Sequence, residues 1–119
     1  MILVVADDST VLDQAQQILN RERQVFLAED STRALGLAGN LGFSVALVDL
    51  DLAGGAGFDL IRTLRRNVPD LQIIAVTNAI STLSSEDAKK LGVVEVLRKP
   101  ITPAWKPVVE RIRARRASA

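Results

Sequence analysis

Five short apolar runs constrain this chain more than any other feature: ILVV (2–5), VFLA (25–28), VALV (45–48), IIAV (73–76) and VVEVL (93–97). They are rich in β-branched residues and lack the polar alternation of a strand with one wet face. Continuous runs of this kind read as strands buried on both faces, the pattern of a parallel sheet. Parallel neighbours need long crossovers, and the intervening segments have helical spacing. Val11, Leu12, Ala15, Ile18 and Leu19 form one apolar stripe, and Ala34, Leu35, Leu37, Ala38 and Leu41 a second. Phe58, Ile61 and Leu64 form a third, and Trp105, Val108, Val109 and Ile112 the last. Segment 81–91 is weaker, with Leu83, Ala88 and Leu91 as its anchors. Ser9 suits the N-cap of the first helix and Pro103 an early position of the last. The stretch NVPD (67–70) separates the third helix from the fourth strand.

Strict alternation gives an α/β fold, a (βα)5 unit whose right-handed crossovers place helices on both faces of a five-stranded parallel sheet. The expected strand order is the doubly wound, flavodoxin-like 2-1-3-4-5. The 119 residues suit one domain spanning 1–119, with a basic tail, about 114–119, expected to fray. No cysteine is present, which excludes disulfides and thiolate metal sites, and no histidine, which excludes imidazole bases and the usual zinc sites. The net charge of +1 implies no global steering toward nucleic acid or membrane. The start, MILVVADD, lacks a positive leader region, and its apolar run is too short to span a bilayer. A cytoplasmic location is therefore expected. Arg111, Arg113, Arg115 and Arg116 read as a solvated helix end favoured by the dipole.

Open parallel sheets bind ligands at the carboxyl ends of their strands. Asp7 and Asp8 follow strand 1, Asp49 and Asp51 strand 3, Thr77 strand 4 and Lys99 strand 5. Carboxylates gathered on one rim repel unless a cation joins them, and an all-oxygen set selects a hard ion such as Mg²⁺. A lysine and a hydroxyl facing the same point suit a transferred phosphoryl group, and an aspartate can itself serve as the nucleophile. Taken singly, each residue has a plainer reading: a helix-terminal acid, a strand-end threonine, a solvated lysine. The stretch VALVDLDLAGG (45–55) fits two chemistries. One is the D-x-D nucleophile of haloacid-dehalogenase-type phosphatases. The other is the acceptor strand of a response-regulator receiver domain.

The order of the residues favours the second. An acidic pair, then Asp49, then Thr77, then Lys99, each on its strand end, resembles the receiver domains of two-component response regulators over essentially the whole chain. VPDLQIIAVT and LRKP are similar to the family's fourth- and fifth-strand signatures. In the phosphatases the D-x-D comes first and the paired acids last. The resemblance implies a phosphoacceptor switch with Asp49 receiving a phosphoryl group from a histidine kinase or phosphotransfer protein. It implies Mg²⁺ held by the side chains of Asp8 and Asp49 and the backbone carbonyl of Asp51, with Asp7 acting through water. Thr77 and Lys99 would contact the phosphoryl group, and the Lys99–Pro100 bond would be cis. Catalysis would be confined to weak self-phosphorylation and autodephosphorylation. The implied partners are the kinase, an output domain or protein, and a second copy docking through segment 81–91, strand 5 and the last helix. No nucleic-acid or membrane contact is expected within the domain.

Three positions depart from the family pattern. Val96 stands where an aromatic residue usually does, which questions the output switch and keeps a phosphorylation-independent interaction module as the alternative. Asn78 replaces a small residue after the threonine. The loop LAGGAGFD has Ala53 in place of a common proline, and its glycines are expected to leave it unusually free.

Overall fold

The computed structural model describes residues 1–19, 24–78, 86–87 and 90–118, with side chains as far as 114. Strands β1 (Ile2–Val5), β2 (Val25–Ala28), β3 (Val45–Asp49), β4 (Gln72–Thr77) and β5 (Glu95–Arg98) form one sheet in the order β2-β1-β3-β4-β5. Every pairing is parallel. Among the described residues the helices are α1 (Ser9–Leu19), α2 (Ser31–Asn40), α3 (Ala56–Asn67) and α4 (Trp105–Ser118). The helix expected over 81–91 lies mostly outside the described residues, Leu83 and Ala88 included. Residues 86, 87 and 90 are helical, and the Leu91 amide donates to the Asp87 carbonyl at 3.1 Å.

The apolar runs lack polar alternation because both faces of the sheet are covered. Leu3, Val5, Ala46, Val48, Ile73 and Ala75 face one side, under Ala34 of α2 and Leu60, Ile61 and Leu64 of α3. Their sequence neighbours Ile2, Val4, Val45, Leu47, Ile74 and Val76 face the other. There they meet Val11, Leu12, Ala15 and Leu19 of α1 and Trp105, Val109 and Ile112 of α4. The period of two survives in the packing, invisible to hydropathy because two cores share one sheet. Strand β5 begins two residues later than its apolar run suggests, since Glu95 opens the β4 ladder opposite Ile74. The edge position leaves it half covered.

The first two helix starts are set by acids. The Asp8 carbonyl accepts the Leu12 amide and its Oδ1 accepts the Thr10 amide, so Asp8, not Ser9, caps α1. Asp30 caps α2 by accepting the Arg33 amide at 2.8 Å. Pro103 lies in the turn two residues ahead of Trp105, where its carbonyl accepts the Lys106 amide, and so falls outside the helix rather than at an early position within it. Helix α4 ends at Ser118 and so includes most of the basic tail.

Between β3 and α3 the glycines have a defined use. Gly54 (φ 68°) and Gly55 (φ 72°) turn the chain through left-handed conformations that L side chains resist, forming a 3-10 turn, Ala53–Gly55, that feeds α3. Gly57, in the first turn of α3, lies against the end of β3. A Cβ there would collide with the Asp49 carbonyl oxygen and stand 3.0 Å from the Leu50 Cα. Backbone cannot yield as a flexible side chain can, so Gly57→Ala should destabilise the fold by about 1–3 kcal/mol. Gly36, in exposed α2 with nothing near its missing Cβ, should behave oppositely, and Gly36→Ala should stabilise by roughly 0.5–1 kcal/mol. Denaturant midpoints of the two variants check this pair of opposite signs.

Candidate functional site

The parallel register aligns the strand ends. Val5 sits opposite Val48, Asp49 opposite Val76, and Thr77 opposite Arg98. The ladder continues past each strand: the Leu50 amide donates to the Val76 carbonyl, and the Lys99 amide to the Thr77 carbonyl. Residues far apart in sequence are therefore fixed side by side by backbone, before any side chain makes contact. The Lys99–Pro100 bond is cis.

Asp49 is buried at 1% exposure, at the end of the innermost strand. Its Oδ1 accepts the Asp51 amide at 2.8 Å. Its Oδ2 lies 2.6 Å from the Lys99 ammonium and, among the described residues, makes no hydrogen bond beyond that ion pair. Lys99 also reaches Asp51 Oδ2 at 3.1 Å. The fully buried Thr77 donates its hydroxyl to Asp51 Oδ1 at 2.8 Å, and the Asn78 amide donates to Asp51 Oδ2 at 2.8 Å. Asp49, Asp51, Thr77 and Lys99 thus form one network, as their strand ends suggest.

The outer acids stand apart from it. Asp7 is exposed, and its Oδ2 accepts the Ala53 amide at 3.4 Å, tying the end of β1 to the 3-10 turn. Asp8 is exposed and engaged at its helix cap. Among the described residues no three acids are gathered closely enough to form a ready metal cage. Val96 is buried in the core beneath α2 and α3. Two participants escape sequence reasoning. The Asn78 amide carries no residue-type signal, and Gly57 declares its role only once α3 is packed on Asp49.

Burial drives the electrostatics. Desolvation pushes the Asp49 carboxyl above its ordinary 3.8, although Lys99 and the Asp51 amide pull it back. Burial also opposes ionisation of Asp51. There the Asn78 amide, the Thr77 hydroxyl and Lys99 outweigh it and hold that carboxyl below the ordinary value. For Lys99 the desolvation penalty is overcome by its two carboxylate partners, and its pKa is raised. Two carboxylates share one ammonium, so the network keeps an excess negative charge. Because the folded pKa of Asp49 is raised, its ionised form costs stability at neutral pH. That cost disappears as pH falls through the raised folded value toward 3.8. Asp49→Asn should therefore melt above wild type at pH 7 without divalent cations, and the gain should vanish as pH falls below 3.8. Thermal melts across that range check the sign.

The geometry has clear counterparts among known proteins. The family model described as the response regulator receiver domain matches residues 2–106. The photosynthetic apparatus regulatory protein RegA of Rhodovulum sulfidophilum is 32% identical over 100 residues, covering 83% of this chain and 55% of that protein. The DNA-binding response regulator MtrA of Mycolicibacterium paratuberculosis is 32% identical over 117 residues, 96% of this chain and 50% of that one. The chain thus spans about half the length of the curated relatives it matches. A receiver domain from Clostridium thermocellum superposes with a TM-score of 0.88 at 26% identity, covering 98% of this chain and 96% of that one. A Burkholderia pseudomallei response regulator, solved with a phosphorylated aspartic acid, calcium ion and citrate, gives 0.81 at 27% identity, covering 98% and 68%. With the family's model matching residues 2–106 and a five-stranded parallel sheet in the expected order, this chain belongs to the response regulator receiver domains.

Proposed function

We propose that Asp49 is the phosphoacceptor of a two-component signalling switch. The observation that carries this reading is the burial of Asp49 at the end of β3 with its Oδ2 held, among the described residues, by Lys99 alone. A buried carboxylate with one oxygen reserved for an ammonium has little structural purpose of its own. It suits nucleophilic attack on a phosphorus, because Lys99 can follow the charge onto the phosphoryl oxygens. In that step an Asp49 oxygen bonds to phosphorus while the phosphorus–nitrogen bond of a kinase or phosphotransfer phosphohistidine breaks, and the electron pair leaves with the imidazole. Thr77 would donate to a phosphoryl oxygen.

The residues fit a hard divalent cation by donor type and by charge. All candidate ligands are oxygens, and the network already carries more carboxylate than ammonium. Asp49 and Asp8 would hold Mg²⁺ through side chains and Asp51 through its backbone carbonyl, with Asp7 acting through water. Asp8 caps α1 through Oδ1, which makes Oδ2 its ligating oxygen. When bound, the ion neutralises charge gathering on the phosphoryl oxygens. The partners of such a switch would be the kinase or phosphotransfer protein and an output domain or protein. The face bearing β5 and α4, where Arg111 pairs with Glu95 at 3.9 Å, is where a second copy would dock. A cytoplasmic location fits this role, and no described helix is long and apolar enough to cross a membrane.

Phosphotransfer from a phosphohistidine protein tests the reading. Wild type should take up at most one phosphoryl group per chain, only with Mg²⁺, and Asp49→Asn should take up none. In Asp8→Ala the rise of the melting midpoint with Mg²⁺ should be lost or much reduced. Many turnovers of a phosphate ester, dependent on Asp51, would instead mark a phosphatase.

A further inference from the structure

Three donors converge on the Asp51 side chain: the Thr77 hydroxyl and the Asn78 amide at 2.8 Å, and the Lys99 ammonium at 3.1 Å. They come from the ends of two adjacent strands, beside the Asp49 carboxylate. A site that collects a hydroxyl, a backbone amide and an ammonium is an anion site, and a carboxylate offers such donors the same kind of oxygen as a phosphoryl group. Resting on the reading of Asp49 as phosphoacceptor, we propose that the Asp51 carboxylate is an internal stand-in for the phosphoryl group. It occupies the donors in the unphosphorylated protein and must release them when Asp49 is modified. The resemblance assigns Asp51 only a backbone carbonyl, so this side-chain role belongs to this chain's own arrangement.

The donors' chemistry makes the competition unavoidable for two of them. A hydroxyl and a backbone amide each have a single proton, so neither Thr77 nor Asn78 can donate fully to Asp51 and to a phosphoryl oxygen together. Lys99 has three protons and already spans both carboxylates, so it can follow the new charge without leaving its place. Once Asp49 bears a phosphoryl group, the Asp51 carboxylate faces a like charge at short range. Its side chain is 33% exposed against 2% for Asp49, so it has solvent to turn into. The site thus has two arrangements of the same donors, and phosphorylation selects between them by differential contact. Asp51 is a positioning residue that sets how strongly the resting arrangement resists the change.

Beryllofluoride, added with saturating Mg²⁺ so that metal affinity does not enter, serves as the phosphoryl probe. Binding is read from backbone amide shifts, with circular dichroism confirming the fold. Asp51→Ala should bind beryllofluoride about three- to tenfold more tightly than wild type, the scale of one or two hydrogen bonds no longer broken. Asp51→Asn, which removes the charge but keeps an acceptor for Thr77, should gain less than Asp51→Ala. In a Thr77→Val background the gain from Asp51→Ala should shrink, because the contested hydroxyl is gone. Equal affinity of wild type and Asp51→Ala would overturn the proposal. So would equal gains for Asn and Ala that persist without the Thr77 hydroxyl, since charge alone would then explain them. If wild type binds no beryllofluoride while remaining folded, the phosphoacceptor reading itself fails and this one with it.

Discussion

A single ammonium shared by two carboxylates holds this site together. Lys99 stands 2.6 Å from Asp49 and 3.1 Å from Asp51, and it joins the ends of β3 and β5 across β4. Buried ion pairs are weak sources of stability, because desolvation consumes most of the Coulombic gain. The pKa directions divide here: burial is the largest influence on all three groups, yet it prevails only at Asp49, while Asp51 and Lys99 are held in their charged forms. The ionised Asp49 therefore stands at some cost to fold stability, a cost its neighbours in part offset. On the proposed reading, Lys99 would keep a positive charge next to the attacking oxygen of Asp49.

The backbone does most of the positioning. Parallel pairing with fixed register brings Asp49, Thr77 and Lys99 to adjacent strand ends, and ladder bonds at Leu50 and Lys99 extend that order past the strands. Two cores, one on each face, clamp the strands from both sides, so the rim rests on strands buried on both faces. Gly57 completes the clamp by letting α3 come down onto the Asp49 carbonyl. Substrate chemistry at such a rim needs little motion beyond the side chains themselves.

Much of this was legible in the sequence. Apolar runs without alternation mark strands buried on both faces, which is why the sheet is recoverable to within two residues at each end, while the crossover rule places the helices on both faces and the strand order is the expected flavodoxin-like one. The polar residues after those runs had to share a rim once the sheet was parallel, so Asp49, Asp51, Thr77 and Lys99 could be grouped without coordinates. What stayed hidden depends on which of several equivalent groups makes a bond. Ser9 and Asp8 are both good caps, and only the Thr10 amide decides for Asp8. Asp51 can offer a carbonyl or a carboxylate, and its side chain is committed by an Asn78 amide that any residue could supply. The glycines of 54–57 look alike in sequence, yet two provide positive φ and one provides clearance.

The central claim is that the phosphoryl group goes to Asp49 and not to its more exposed neighbour two residues on. The most direct measurement is to phosphorylate the protein with a small-molecule phosphodonor and Mg²⁺, trap the acyl phosphate by borohydride reduction, and map the modified residue by peptide mass spectrometry. Conversion of Asp49 to homoserine, with Asp51 unchanged, is the predicted result. Conversion at Asp51, or equal conversion at both, would contradict the account.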